Sequence, residues 1–201
     1  MPVFKDHTYA AFLFDMDGTL LDSSAVVDRV WGYWARKHGV DAEKLLANVH
    51  GVRAEDTIRR FAGAFVDVAK ETQWILEAEV KDVDGVVPVA GINAFIDRLE
   101  PGTWAIVTSA PRALAEVRLR AVGLPTPKVM ITAEDVQRGK PDPQGFLLGA
   151  NRLGVSIDEC LVFEDSPAGV AAAKAAGAHI AIVGPLVPAS EGDFVIANYT
   201  E

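Results

Sequence analysis

Two aspartates separated by one methionine, Asp15 and Asp17, follow an apolar run in FLFDMDGTLLDS (residues 12–23). Side chains two apart on an extended chain share a face, so both carboxylates can address one ligand, and Gly18 then permits a turn. Neighbouring carboxylates disfavour each other's charge unless a cation or a shared proton intervenes. Three further groups follow later apolar runs: TSA (108–110) and EDS (164–166) end two of them, and GKPDP (139–143) follows a third and precedes a helix. If Glu164 and Asp165 join Asp15 and Asp17, the crowded carboxylates require a hard cation, and Mg2+, which takes oxygen ligands and keeps room for a phosphate, suits them. With Lys140 as a point charge and Ser109 as a small hydroxyl, such a pocket suits a phosphate dianion. Phosphate monoesters are so inert that enzymes supply up to ~10²¹-fold, so cation and lysine must be joined by a nucleophile and an acid. Asp15 can attack phosphorus to form an aspartyl phosphate, and a protonated Asp17 can donate to the leaving oxygen and then activate water.

These residues need a scaffold that brings them together. Five apolar runs, residues 10–14, 104–108, 129–132, 160–163 and 179–183, are continuous rather than alternating, the pattern of strands covered on both faces. Between the later runs, helical spacing links Ile92, Phe95, Ile96 and Leu99, then Leu114, Val117, Leu119 and Val122, then Phe146, Leu147, Ala150 and Leu153. Gly123, Gly154 and Gly177 stand where helices end. The alternation predicts an α/β fold: a doubly wound, Rossmann-like parallel sheet of about five core strands, with its site at the carboxyl ends of the strands.

Residues 21–86 break that rhythm. They hold no convincing strand but carry helical stripes: Val26, Val27, Val30, Trp31 and Trp34 ending at Gly39; Ile58, Phe61, Phe65 and Val68; and Trp74, Ile75 and Ala78. The tryptophans are read as helix packing. The stretch is expected to form a small helical domain over a core made of residues 1–20 and 87–201, re-entering through VVPVAG (86–91).

With 201 residues, half of them apolar, the chain can bury a full core without staples. Its formal charge of -9 argues against nucleic acid or an anionic membrane as partner, since both need clustered basic surface. The only cysteine, Cys160, lies in the apolar run CLVF and reads as a buried structural thiol, which fits a reducing compartment. No segment approaches the ~18 apolar residues of a membrane span. The expectation is a soluble, cytoplasmic protein whose partner is a small phosphorylated metabolite.

In order and position, FDMDGT, TSA, GKPDP and FEDS resemble the four signature motifs of haloacid dehalogenase-like hydrolases, and the resemblance covers nearly the whole chain. It implies Asp15 as nucleophile, Asp17 as general acid/base and backbone-carbonyl metal ligand, Ser109 and Lys140 as phosphate binders, and Asp165 as metal ligand. Glu164 is implied to act on the metal through water. The inserted helices are implied to be a cap that closes over the core. HGVRAEDTIRRF (50–61), WAIVTSA and ITAEDVQRGKPDP look most like the sugar-phosphate and glycerol-phosphate phosphatases; Ala110 departs from the glycine that many relatives place after the serine.

Several alternatives stay open. Ser109 can also serve as a helix N-cap before Pro111. His7, His38 and His179 stand alone and are read as structural. His50 and Arg53 flank a turn of the insertion and are candidates for reading the organic half of the substrate. A sugar phosphomutase can share every core motif, and a phosphoglycolate-type phosphatase is a further alternative. A dehalogenase should lack the acid at Asp17, and a phospho-accepting receiver module expects its acceptor in a central strand without a long insertion.

Overall fold

The computed structural model describes residues 1–201. A short antiparallel hairpin, β1 (Val3–Phe4) and β2 (His7–Thr8), precedes the first core strand, β3 (Ala11–Phe14). Two-residue strands β4 (Leu21–Asp22) and β5 (Val87–Pro88) bracket four helices: α1 (Ser24–His38), α2 (Ala42–Leu46), α3 (Ala54–Ala62) and α4 (Val68–Lys81). The rest alternates: α5 (Ile92–Ile96), β6 (Trp104–Val107), α6 (Arg112–Ala121), β7 (Val129–Ile131), α7 (Gln144–Leu153), β8 (Cys160–Glu164), α8 (Pro167–Ala176), β9 (His179–Val183) and β10 (Phe194–Ile196).

Six strands form one parallel sheet in the order β10-β9-β8-β3-β6-β7. Five match the apolar runs. The sixth, β10, was not expected, because its three residues FVI are too few to stand out as a run; it is placed by pairing with β9, Phe194 opposite Ala181.

The continuous runs are explained by two cores, one on each face. Phe12, Phe14, Ile106 and Phe163 pack with α5 and α6, while Leu13, Val107, Val162 and Ile182 pack with α7 and α8. Phe14 stacks on Phe163 at 4.7 Å between ring centroids, and Phe95 from α5 meets both. Burying a phenylalanine side chain contributes about 1.5–3 kcal/mol, so this aromatic layer is a principal anchor of the sheet. The core helix that leads from β3 towards β6, α5, and the helix after β8, α8, lie on opposite faces. A crevice therefore opens at the carboxyl ends of these two neighbouring strands, the usual ligand position in such sheets.

The chain leaves the core after β3 and returns after α4 through adjacent strands, with Leu21 paired to Pro88 and Asp22 to Val87. Within the insertion Trp34 is fully buried and Trp31 nearly so. Trp34 Nε1 donates to Glu71 at 2.9 Å, fastening α1 to α4, and His38 Nε2 lies 3.1 Å from the same carboxylate. The expected stripe Ile58–Phe61–Phe65–Val68 is not one helix. The chain breaks after α3 at Gly63, and Asp67 starts α4 by accepting from the Lys70 N–H, which leaves Phe65 exposed between them. A 3.6-residue period thus ran by coincidence across two helix ends. No helix is long and apolar enough to cross a membrane.

Candidate active site

Asp15 follows β3 directly, its N–H donating to the Phe163 carbonyl at 3.0 Å, so the neighbouring strand fixes where its side chain starts. Glu164 is the last residue of β8 and Asp165 the next. One carboxylate oxygen from each of Asp15, Glu164 and Asp165 lies within 4.8 Å of the others, and all three residues are buried. Lys140, from the turn before α7, reaches between Asp15 and Glu164, 2.5 Å from the latter, with Nζ 5.2 Å from the centre of the Phe146 ring.

Glu164 is the most firmly held. Its second oxygen accepts from the N–H groups of Asp165 and Ser166, both at 2.9 Å, and from the Ser166 hydroxyl at 3.0 Å. Ser166 in turn caps α8 through the Gly169 N–H, with Pro167 at the first helical position. The start of α8 therefore orients Glu164. Asp165 is braced by the Thr19 hydroxyl at 3.3 Å. Gly18 has φ +86°, and a β-carbon there would lie 2.0 Å from Asp165 Oδ2, so the turn after Asp17 requires glycine on both counts.

Three buried carboxylates with one lysine are electrostatically incomplete. Burial raises Asp15 well above the usual carboxylate range, Lys140 opposes that rise, and Glu164 and Asp165 add to it. Burial and the Glu164 charge push Asp165 up to about 8. For Lys140 burial alone would lower the pKa, but the Asp15 and Glu164 charges outweigh it and raise it. The oxygen-only donor set fits a hard divalent cation, which would let all three carboxylates ionise.

Asp17 behaves differently from Asp15. Its Oδ1 accepts from the Ser23 hydroxyl at 2.7 Å and from Arg118 Nη1 at 2.8 Å, leaving Oδ2 without a hydrogen bond. Its side chain is 25% exposed against 4% for Asp15, so it is the more open of the two carboxylates. Both line one cavity of about 80 Å³, together with Ser109, His50, Trp31, Glu79 and Arg118. Ser109 does not cap α6, whose N-cap is Pro111; its hydroxyl donates to the Gly51 carbonyl at 2.8 Å.

That bond brings the turn between α2 and α3 down onto the core. A β-carbon at Gly51 (φ +73°) would lie 2.2 Å from Ser166 Oγ, so the approach is as close as backbone allows. Of the two residues singled out in this turn, His50 is exposed at the cavity's rim. Arg53 is turned aside: it pairs with Asp56 at 2.8 Å, donates to the Gln137 carbonyl at 3.2 Å and lines a neighbouring cavity with Ser109 and Lys140.

Arg118 and Glu79 were not anticipated. Arg118 Nη2 meets Glu79 at 3.2 Å, linking α6 of the core to α4 of the insertion, and both side chains are almost fully buried. A signal existed: Arg118 interrupts the buried face Leu114–Ala115–Leu119, and Glu71, Ile75 and Glu79, spaced four apart, form the buried row of α4. A charge on a buried stripe implies a buried partner.

A family model described as haloacid dehalogenase-like hydrolase matches residues 9–177. Hexitol phosphatase A of Escherichia coli is 44% identical over 176 residues, covering 86% of this chain and 82% of that protein. Glycerol-1-phosphate phosphohydrolase 2 of Saccharomyces cerevisiae is 37% identical over 182 residues, covering 85% and 72%. Among solved structures, β-phosphoglucomutase from Clostridium difficile superposes with a TM-score of 0.83 at 20% identity, covering 96% of this chain and 92% of that one. CbbY from Rhodobacter sphaeroides in complex with phosphate superposes at 0.79 and 22% identity, covering 96% of both.

Proposed function

The chain belongs to the haloacid dehalogenase-like hydrolases, and from that membership we propose that it is a magnesium-dependent phosphatase releasing phosphate from a small phosphorylated sugar or polyol. The observation that carries this reading is the convergence of Asp15, Glu164, Asp165 and Lys140 beneath a cavity that also presents Asp17 and Ser109. The hexitol and glycerol phosphatases among the relatives support the substrate class.

Asp15 attacks phosphorus, forming an aspartyl phosphate as the bond to the leaving oxygen breaks. Asp17 gives that oxygen a proton through the free Oδ2, then takes one from the water that attacks the aspartyl phosphate, returning Asp15 as a carboxylate. Ser109 and Lys140 hold phosphoryl oxygens, and Lys140 keeps Asp15 turned towards them. Asp15, Asp165 and the Asp17 backbone carbonyl would hold Mg2+, with Glu164 acting through water, and the ion would supply positive charge against the phosphoryl oxygens. Residues 21–86 act as the cap, hinged on the β4–β5 ribbon, and exclude bulk water over a core of residues 1–20 and 87–201. The buried, lone Cys160, its thiol pushed up to about 11 by burial first, supports a reducing cytoplasmic setting.

Purified protein is expected to release phosphate from hexitol and glycerol phosphates with Mg2+, to stop in chelator and to resume when Mg2+ is restored. Asp15→Asn should lower turnover at least ~10³-fold while the protein stays folded. A folded Asp15→Asn variant with near-normal turnover contradicts the mechanism. Transfer of phosphate to a second sugar hydroxyl, with none released, identifies a mutase instead.

A further inference from the structure

The cavity above Asp15 carries an unusual balance of charge. Asp15, Asp17 and Glu79 face it with Arg118 as the one guanidinium among its lining residues, and that guanidinium is already shared between Asp17 at 2.8 Å and Glu79 at 3.2 Å. Its Nε–H has no partner. The other cations nearby are also engaged: Lys140 with Asp15 and Glu164, Arg53 with Asp56 and the Gln137 carbonyl. His50 lies exposed at the mouth.

We propose that Arg118 and Glu79 form the specificity end of the pocket, admitting a phosphoester whose organic half is an uncharged polyol and excluding one that carries a carboxylate or a second phosphate. The inference rests on the phosphatase reading above and narrows it. A hydroxyl both donates and accepts, so it can give its proton to a carboxylate and take one from the guanidinium, satisfying a mixed pair. An anionic group cannot donate, and here it would be desolvated beside the Glu79 carboxylate, while Arg118, the one guanidinium in the lining, is already paired with that carboxylate. A site built of buried polar groups also penalises analogues that lack the hydroxyl, because the pair is then left incompletely bonded. Since Arg118 comes from α6 and Glu79 from α4, the specificity end is complete only when the insertion rests on the core.

The test compares phosphate release, at fixed Mg2+, from glycerol phosphate and a hexitol phosphate, from phosphoglycolate and a sugar bisphosphate, and from a plain aryl phosphate. The full-length protein is expected to favour the polyol esters over the two anionic ones by at least ~10-fold in kcat/KM. Glu79→Gln, which keeps the side chain's shape, should narrow that ratio at least ~10-fold by weakening the polyol esters and relieving the repulsion of the anionic ones. Comparable rates for polyol and anionic esters in the unaltered protein, which needs no variant to fold, overturn the proposal. So does a Glu79→Gln variant, folded by circular dichroism, that lowers all substrates equally, since that marks a merely structural tie. Release from aryl phosphate with no preference for polyols leaves the phosphatase reading standing and removes this one. Release from no ester removes both.

Discussion

Asp15 and Asp17 lie two residues apart and meet different partners, a difference that supports the separate roles proposed for them. Asp15 sinks between Lys140 and the buried carboxylates, where its position is fixed and water is excluded. Asp17 turns to Ser23 and Arg118, which hold one oxygen and leave the other without a hydrogen bond. Asp17→Asn should preserve this anchoring, because an amide oxygen accepts the same two hydrogen bonds, while removing the proton that is moved. With an aryl phosphate, whose leaving group needs little protonation, attack by Asp15 should continue and hydrolysis of the phosphoenzyme should slow by ~10²–10⁴-fold. The expected outcome is an accumulated aspartyl phosphate, read as an added phosphoryl mass on the intact protein. Unchanged turnover without that species would take Asp17 out of the acid/base role.

At the scale of elements, the site is assembled from strand ends and one turn. β3 and β8 bring the carboxylates together, and the turn at Gly51 presses the insertion onto Ser109 and Ser166. Gly51→Ala tests that contact. The new β-carbon meets the Ser166 side chain, and the left-handed backbone costs an alanine about 1–2 kcal/mol. The turn should lift, with kcat/KM for a polyol phosphate falling ~10-fold or more and the thermal midpoint dropping by a few degrees. Normal kinetics with sugar and polyol esters would mean that the turn does not need its close seat. The strands around the site were legible because both of their faces are buried and their runs are continuous. The helix boundaries of the insertion were not, since Gly63 and Asp67 end one helix and begin another within a run that keeps an unbroken apolar period.

Over the whole molecule, the buried carboxylates couple stability to pH and to metal. Asp165 is pushed up to about 8, and Asp15 is raised with it, chiefly by burial. In the metal-free protein the folded state keeps protons that the unfolded chain releases above about pH 4. The stabilising contribution is therefore complete below that pH and is lost as pH rises towards the folded values. The metal-free thermal midpoint should fall by about 4 °C or more between pH 5 and pH 8. Mg2+ should remove most of that slope by favouring the ionised carboxylates. Scanning calorimetry across this range, with and without Mg2+, checks both; a flat metal-free profile would mean that the carboxylates are not held in a crowded, dry site.

The sequence by itself determined five of the sheet's six strands, the order of its motifs and the residues gathered at its carboxyl ends, because each rests on local signals: a continuous apolar run, a turn glycine, a charged pair just past a strand. The sixth strand needed a partner to be recognised, as three residues carry no period of their own. Tertiary structure alone decided that Arg53 faces away from the main cavity. It also joined Arg118 to Asp17 across 101 residues and to Glu79 across 39. No spacing rule reaches that far. Which helix faces meet is settled by the packing of the insertion against the core, and a buried ion pair becomes visible only when both of its halves have been placed.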